Sequence, residues 1–358
     1  MTAQSRYRIA AALGALIAPL ALVATTSAPA DAGTSSHKHQ IYEYKVEKYI
    51  RLAGVGTDTV GDSPTQTLSC DPGDIVLDGM WSIKNVDQYN PPPPDPDGPP
   101  TTTGGVYNDA RDVYVVSSYP DQFDPRRWNF EFDNRAYGDA QVKLFLTCIR
   151  SFTEYTNSHR HDIKVRNVAP IQAFTAPHAT YTDRYVYDRG AVCTADEMFV
   201  APGFDLTGLA DHRLVATYPT NSGRGWEWEF GASAPAAAPW FYGKCIERRV
   251  FDGATPRHSV GMKHMPSASF ASGFTVSVPL GDQQESRYSC DQDDNSLHGY
   301  KAMVGWFWMG NHWDDSWYLG MEPRPKTRAY VFWNFNGTPA QAKIGTLCIN
   351  SRTSFPLP

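Results

Sequence analysis

Hydrophobic and polar positions along this chain alternate in short runs. Trp128, Phe130 and Phe132 are spaced by polar Asn129 and Glu131, and Trp226, Trp228 and Phe230 by Glu227 and Glu229. Phe274, Val276 and Val278 follow the same rule, as do Ile163 and Val165 around Lys164. A period of two places alternate side chains on one face of a strand. Gly, Pro, Asn and Asp punctuate the runs and mark turns. Stretches that favour helix are scarce. The pattern predicts an all-β chain with six or seven short strands in every hundred residues or so.

The runs recur with a fixed offset. Cys148 to Cys245 spans 97 residues, and so does His161 to His258; Cys148 to Cys193 and Cys245 to Cys290 both span 45. Equal offsets mean an internal repeat. Each copy opens near histidine: His37 and His39, then His159 and His161, then His258. A cysteine follows, then glycine with Met or an aromatic residue (Gly79-Met80, Gly203-Phe204, Gly299-Tyr300). Next comes a strand ending in Tyr119-Pro120, Tyr218-Pro219 or, more loosely, Glu322-Pro323. The alternating aromatic strand comes after it, and Cys148-Ile149, Cys245-Ile246 or Cys348-Ile349 closes the copy. The expected fold is three tandem antiparallel β-sandwich-like modules, each closed by one disulfide, over 33–155, 156–252 and 253–358. Residues 90–105 of the first module form a proline-rich insertion that reads as an exposed loop.

Six cysteines allow 15 pairings. Repeat symmetry selects Cys70 with Cys148, Cys193 with Cys245, and Cys290 with Cys348. The order of cysteine, glycine-bearing strand, Tyr-Pro, Trp strand and closing cysteine resembles the loosely repeated Cys/Trp β modules of secreted bacterial proteins. That resemblance covers nearly the whole chain after residue 32. It implies the architecture and transfers no activity and no site.

The N-terminus sets the expected address. Arg6 and Arg8 precede an apolar run from Ile9 to Val23 that Pro19 interrupts; Ala28-Pro29-Ala30 and Ala30-Asp31-Ala32 follow. Basic, apolar and small-x-small segments in this order read as a secretory signal peptide over 1–32. A membrane span needs about 20 apolar residues, more than this run supplies, so we expect a secreted, extracellular protein with no membrane span. Removing that segment deletes Arg6, Arg8 and Asp31, moving the formal charge from −6 to −7 (−6 − 2 + 1). A mildly acidic chain without a basic patch argues against nucleic acid as a partner.

Candidate chemistry concentrates in the third module. Trp306, Trp308, Trp313, Trp317 and Tyr318, with Asp314 and Asp315 among them, suit a carbohydrate: sugar faces stack on aromatic rings while carboxylates take hydroxyls. The plainer reading is extra core or an interface between modules. The pairs His37/His39 and His159/His161 would each point one way on a strand and could chelate a transition metal. The third module offers only His258 there and no matching carboxylate is evident, so these read as exposed histidines at strand starts, with no metal and no cofactor. Asp291, Asp293 and Asn295 resemble the start of a calcium loop, but Ser296 and Ala302 stand where Gly and Glu are required. Nucleophile-elbow, HExxH and phosphate-loop motifs are missing. A hydrolase using Asp314, Asp315 or Glu322 ranks below a non-catalytic protein that binds carbohydrate or protein at a cell surface, and below a purely structural extracellular repeat.

Overall fold

The structure, a computed structural model, describes residues 38–358 except 56–59, 87–109, 137, 157–158, 173–175, 178–182, 207–211, 233–238, 251–257, 267–272, 279–282, 293–296, 311–315, 325, 335–339 and 355–358. The first repeat supplies β1 (Glu43–Leu52), β2 (Thr65–Ser69), β3 (Ile75–Val86), β4 (Val113–Pro120), β5 (Arg127–Asn134) and β6 (Ala140–Ile149). The second supplies β7 (Val165–Gln172), β8 (Ala176–Pro177), β9 (Arg184–Asp188), β10 (Glu197–Asp205), β11 (Arg213–Thr220), β12 (Gly225–Gly231), β13 (Trp240–Glu247) and β14 (Arg249–Val250). The third supplies β15 (His258–Met265), β16 (Phe274–Val278), β17 (Gln283–Ser289), β18 (Tyr300–Met309), β19 (Ser316–Pro323), β20 (Thr327–Asn334) and β21 (Ala340–Thr353). No α-helix occurs among the described residues, and none of their elements is a helix long and apolar enough to cross a membrane.

Every sheet is shared between two repeats. One runs β1-β6-β3-β19-β20-β17, a second β2-β5-β4-β10-β13-β7, and the third β14-β15-β21-β18-β11-β12-β9-β8, with β16 also on β21. In each, an inner trio of one repeat (β1-β6-β3, β7-β13-β10 or β15-β21-β18) meets an outer trio of another. The outer trio of repeat 1 joins repeat 2, that of repeat 2 joins repeat 3, and that of repeat 3 returns to repeat 1. The links are β4 to β10 at Ser118 and Phe204, β11 to β18 at Thr217 and Phe307, and β19 to β3 at Gly320 and Ser82. The chain thus closes a ring with pseudo-threefold symmetry.

The three disulfides follow the repeat: Cys70–Cys148, Cys193–Cys245 and Cys290–Cys348. Each ties the outer trio of a repeat to its own inner trio, and so ties two different sheets together. The aromatic strands fill the space between. Trp128, Phe130, Trp226, Trp228, Phe230, Tyr330 and Phe332 are all buried, while Asn129 and Glu131 between them are half-exposed. Close packing dictates one glycine: a Cβ on Gly79 would lie 2.2 Å from the Trp128 ring. Gly79 pairs with Leu146 and Gly305 with Thr346, each two residues before a closing cysteine. The third-repeat counterpart of Gly79-Met80 is therefore Gly305-Trp306, not Gly299-Tyr300; both strands carry the same bulge, at Val76/Asp78 and Ala302/Val304, so the added spacing lies between Cys290 and that bulge.

Register also aligns the links. Pro120, Pro219 and Pro323 pair with Trp128, Trp226 and Arg328. Residues 87–109, 207–211 and 311–315 each precede the strand that carries one of those prolines. The proline-rich insertion, and Trp313, Asp314 and Asp315, thus occupy the same link of different repeats, outside the described residues.

Candidate metal centre

Each repeat begins by pairing with the end of a repeat. Ile163 N–H donates to the Ser151 carbonyl at 2.8 Å, Val260 to Arg248 at 2.6 Å, and Ile41 to Ser351 at 2.8 Å. These three joints place His161, His258 and His39, each two residues upstream of those donors, at one end of the pseudo-threefold axis. The main-chain N–H of His161 donates to Thr153 Oγ1, and that of His39 to Thr353 Oγ1, each at 3.0 Å. At the remaining joint Val250 stands in the threonine's place, opposite His258.

The rings meet on the axis. Centroids of His39, His161 and His258 are 4.6, 4.6 and 4.9 Å apart, nearly an equilateral triangle. All three residues are fully buried, at 0 % exposure. His159, half-buried, joins them from the link ahead of His161, its ring 4.5 Å from that of His39. One nitrogen from each of the four imidazoles lies within 4.8 Å of the others. These histidines are not exposed strand starts, as the sequence suggested; ring closure turns three equivalent edge positions inward.

The outward nitrogens are anchored. Nδ1 of His39 meets the Glu154 carbonyl at 3.0 Å, and Nδ1 of His258 meets the Ser354 carbonyl at 2.7 Å. Glu154 and Ser354 each lie six residues after a closing cysteine, so this contact too follows the repeat. A carbonyl accepts only, so each Nδ1 carries the proton and each Nε2 presents its lone pair to the axis. Metal-bound histidines are held by this kind of outer contact. His39 Nε2 and His159 Nε2 are 3.0 Å apart, bridged by a proton from His159. A tetrahedral ion with metal–nitrogen bonds of 2.0–2.1 Å sets its donors about 3.3 Å apart, close to the 3.0 Å between Nε2 of His39 and His159 and inside the 4.8 Å spread of the four. Four imidazoles suit Zn²⁺, Cu²⁺ or Ni²⁺ rather than Ca²⁺ or Mg²⁺, which take oxygen. Four protein donors fill a tetrahedral shell and leave no position for substrate.

Cys193, Glu197 and Cys245 also cluster. Those sulfurs are joined to each other, and Glu197 is gripped by Arg166 through bonds of 2.8 and 2.7 Å, so the group offers no thiolate.

The aromatic candidates of the third repeat are dispersed. Trp306 is buried at 0 % exposure, against Gly345 and Gly273, and cannot stack on a ligand. Trp308 is half-buried beside Lys343, and Tyr318 stacks on Phe307 with centroids 3.8 Å apart. Trp317 holds the Arg213 guanidinium 3.2 Å from its ring centre, and Arg213 also lies 4.3 Å over Tyr114. Tyr114, Arg213 and Trp317 each stand six residues before the proline of their strand, so they are equivalent positions meeting on the axis. They lie at the Leu52/Ala140 end of the first sheet, since Asn134, which pairs with Val113, donates to the Leu52 carbonyl at 3.1 Å. The histidines lie beyond the Ile149 end, about 30 Å away at 3.3 Å per strand residue. The cavity there, lined by Trp81, Tyr114, His212, Arg213 and Trp317, holds about 50 Å³, against 300 Å³ or more for a typical small-molecule site. Glu322 is buried and paired with Lys84 and Arg324.

Sequence reasoning aligned His39, His161 and His258 by repeat, and that was the available signal; what it lacked was ring closure, which converts equivalent positions into neighbours. No protein-family model matches the chain, and no curated protein matches it.

Proposed function

We propose that the chain is an exported, non-catalytic binding protein whose ligand is a first-row transition-metal ion held by His39, His159, His161 and His258. One observation carries this reading: four imidazoles from three repeats converge on a buried axis with Nε2 of His39 and His258 aimed inward by backbone carbonyls. Three buried imidazoles and one half-buried imidazole facing each other form a nitrogen donor set suited to such an ion. The three disulfides fit an oxidising compartment, and the residues before 33 fit an export signal. Carbohydrate binding at the aromatic end has weaker support, because the cavity beside Trp317 is too small for a sugar ring.

Equilibrium dialysis of the disulfide-intact chain against Zn²⁺, Ni²⁺ and Cu²⁺ tests the reading. One ion per chain is expected, with affinity lowered most by His161→Ala and less by His159→Ala. Stoichiometry well below one, or binding that His161→Ala leaves unchanged, overturns it.

A further inference from the structure

Three joints surround the histidines, and one differs from the others in kind. Thr153 and His161 are close in the chain, and so are Val250 and His258. The equivalent joint between Thr353 and His39 spans 314 residues. Closing so long a loop costs more conformational entropy than closing a short one. The backbone contacts are the same at every joint: His39 O accepts from Thr353 N at 2.9 Å, as His161 O does from Thr153 N. Ser354 is also fastened to the body of the ring through Ser259 Oγ at 2.6 Å, so what the long joint must still secure is the docking of the distant His39 segment.

The metal ligands straddle that joint. His39 comes from one side, while His159, His161 and His258 come from the body of the ring. His258 reaches the other side through its Nδ1 contact with Ser354.

We propose that the bound ion is the clasp that closes the ring, fastening the segment around His39 to the segment around Thr353 and Ser354. This rests on the metal-binding reading above and adds what the ion does there. The ion can be fully coordinated only when His39 is docked, so metal and ring closure stabilise each other by linkage. The two continuous joints need no clasp, because the chain itself holds them.

Hydrogen exchange on the full, disulfide-intact chain, metal-free and with Zn²⁺, tests the clasp. With free Zn²⁺ about tenfold above its dissociation constant, amides of 39–44 and 350–354 should exchange roughly tenfold more slowly. Amides of the continuous joint at 248–250 and 258–260 should change less. His39→Ala should still bind Zn²⁺ through the three remaining imidazoles but lose the protection at both ends; His159→Ala should bind more weakly and keep it at saturating metal. One Zn²⁺ bound per chain with unchanged exchange at 39–44 and 350–354 overturns the clasp while sparing the metal site. No bound Zn²⁺ overturns both.

Discussion

The interfaces formed in chain order and the interface that closes the ring use the same strands and opposite chemistry. Between repeats 1 and 2, Trp128 starts the aromatic strand and Val200 faces the residue before the closing cysteine; between repeats 2 and 3 the same places hold Trp226 and Val304. Between repeats 3 and 1 they hold Arg328 and Asp78, a buried ion pair with N···O at 3.7 Å. The tryptophans donate through Nε1 to Ser118 Oγ at 3.0 Å and Thr217 Oγ1 at 2.6 Å. Arg328 instead donates to Thr147 Oγ1 at 2.7 Å and to the Met303 carbonyl, and Asp78 accepts from the Gly305 amide at 3.1 Å. Two more ion pairs, Lys84–Glu322 and Lys301–Glu43, cross the same closing interface. Three interchangeable apolar interfaces would let any outer trio pair with any inner one. A buried charge pair at one of them marks the correct partner, because a lone buried charge against valine or tryptophan is heavily penalised.

Removing one partner should have the largest effect. Asp78→Ala leaves Arg328 buried without its counter-charge and should cost about 3–5 kcal/mol in urea unfolding. Restoring the chemistry of the other interfaces with Asp78→Val plus Arg328→Trp should recover most of that loss or exceed wild-type stability. A double variant no better than the single would mean that the pair is not an exchangeable alternative to Trp and Val.

A second contrast is pH-dependent. His264 lies in the chain-order interface between repeats 2 and 3, its ring 6.1 Å from Trp226, and burial pushes it down to about 3, with Arg248 adding to the shift. An unfolded chain takes up this proton below about 6.5, while the folded chain refuses it until about 3. The contribution is therefore complete above 6.5 and falls by about 1.4 kcal/mol per pH unit below it. Relative to wild type, His264→Leu should gain stability by that slope between pH 6 and 4. Burial pushes Asp78 up to about 7 despite Arg328, so its contribution has the opposite sign: complete at low pH and lost as pH rises through 7. Parallel stability curves for wild type and His264→Leu from pH 7 to 4 would show that His264 titrates normally.

The smallest effect concerns the joints. Thr353→Val copies the joint that Val250 already makes, and removes the acceptor for the His39 amide. Urea unfolding should report a loss of about 1–3 kcal/mol. No loss would show that the closing joint tolerates valine as the second one does.

Much of this fold was legible because its repeat is written in residues that the core needs. The cysteines gave their own pairing, and the period-two aromatics gave the buried face. Which sheet an outer trio joins was not legible, since Ser118 and Thr217 pair with other repeats through backbone groups that any residue carries. The histidines read as pairs within single repeats, and only the return of repeat 3 to repeat 1 brings His39, His161 and His258 together. Trp306 reads as a surface candidate in sequence, but its register opposite Gly345 gives it the core position that Met80 holds opposite Phe145.

The shared sheets make the order of repeats cyclic, and a cyclic order has no privileged first member. A circularly permuted chain cut at 157–158, with its present ends joined by a linker, would keep every strand pairing and every disulfide. Its long-range joint would become the one between Thr153 and His161, while His39 and Thr353 became near neighbours in sequence. By the same geometry an isolated repeat would present an outer trio and an inner trio with no partner for either, and three copies of one could complete each other as a symmetric trimer with its imidazoles on the axis.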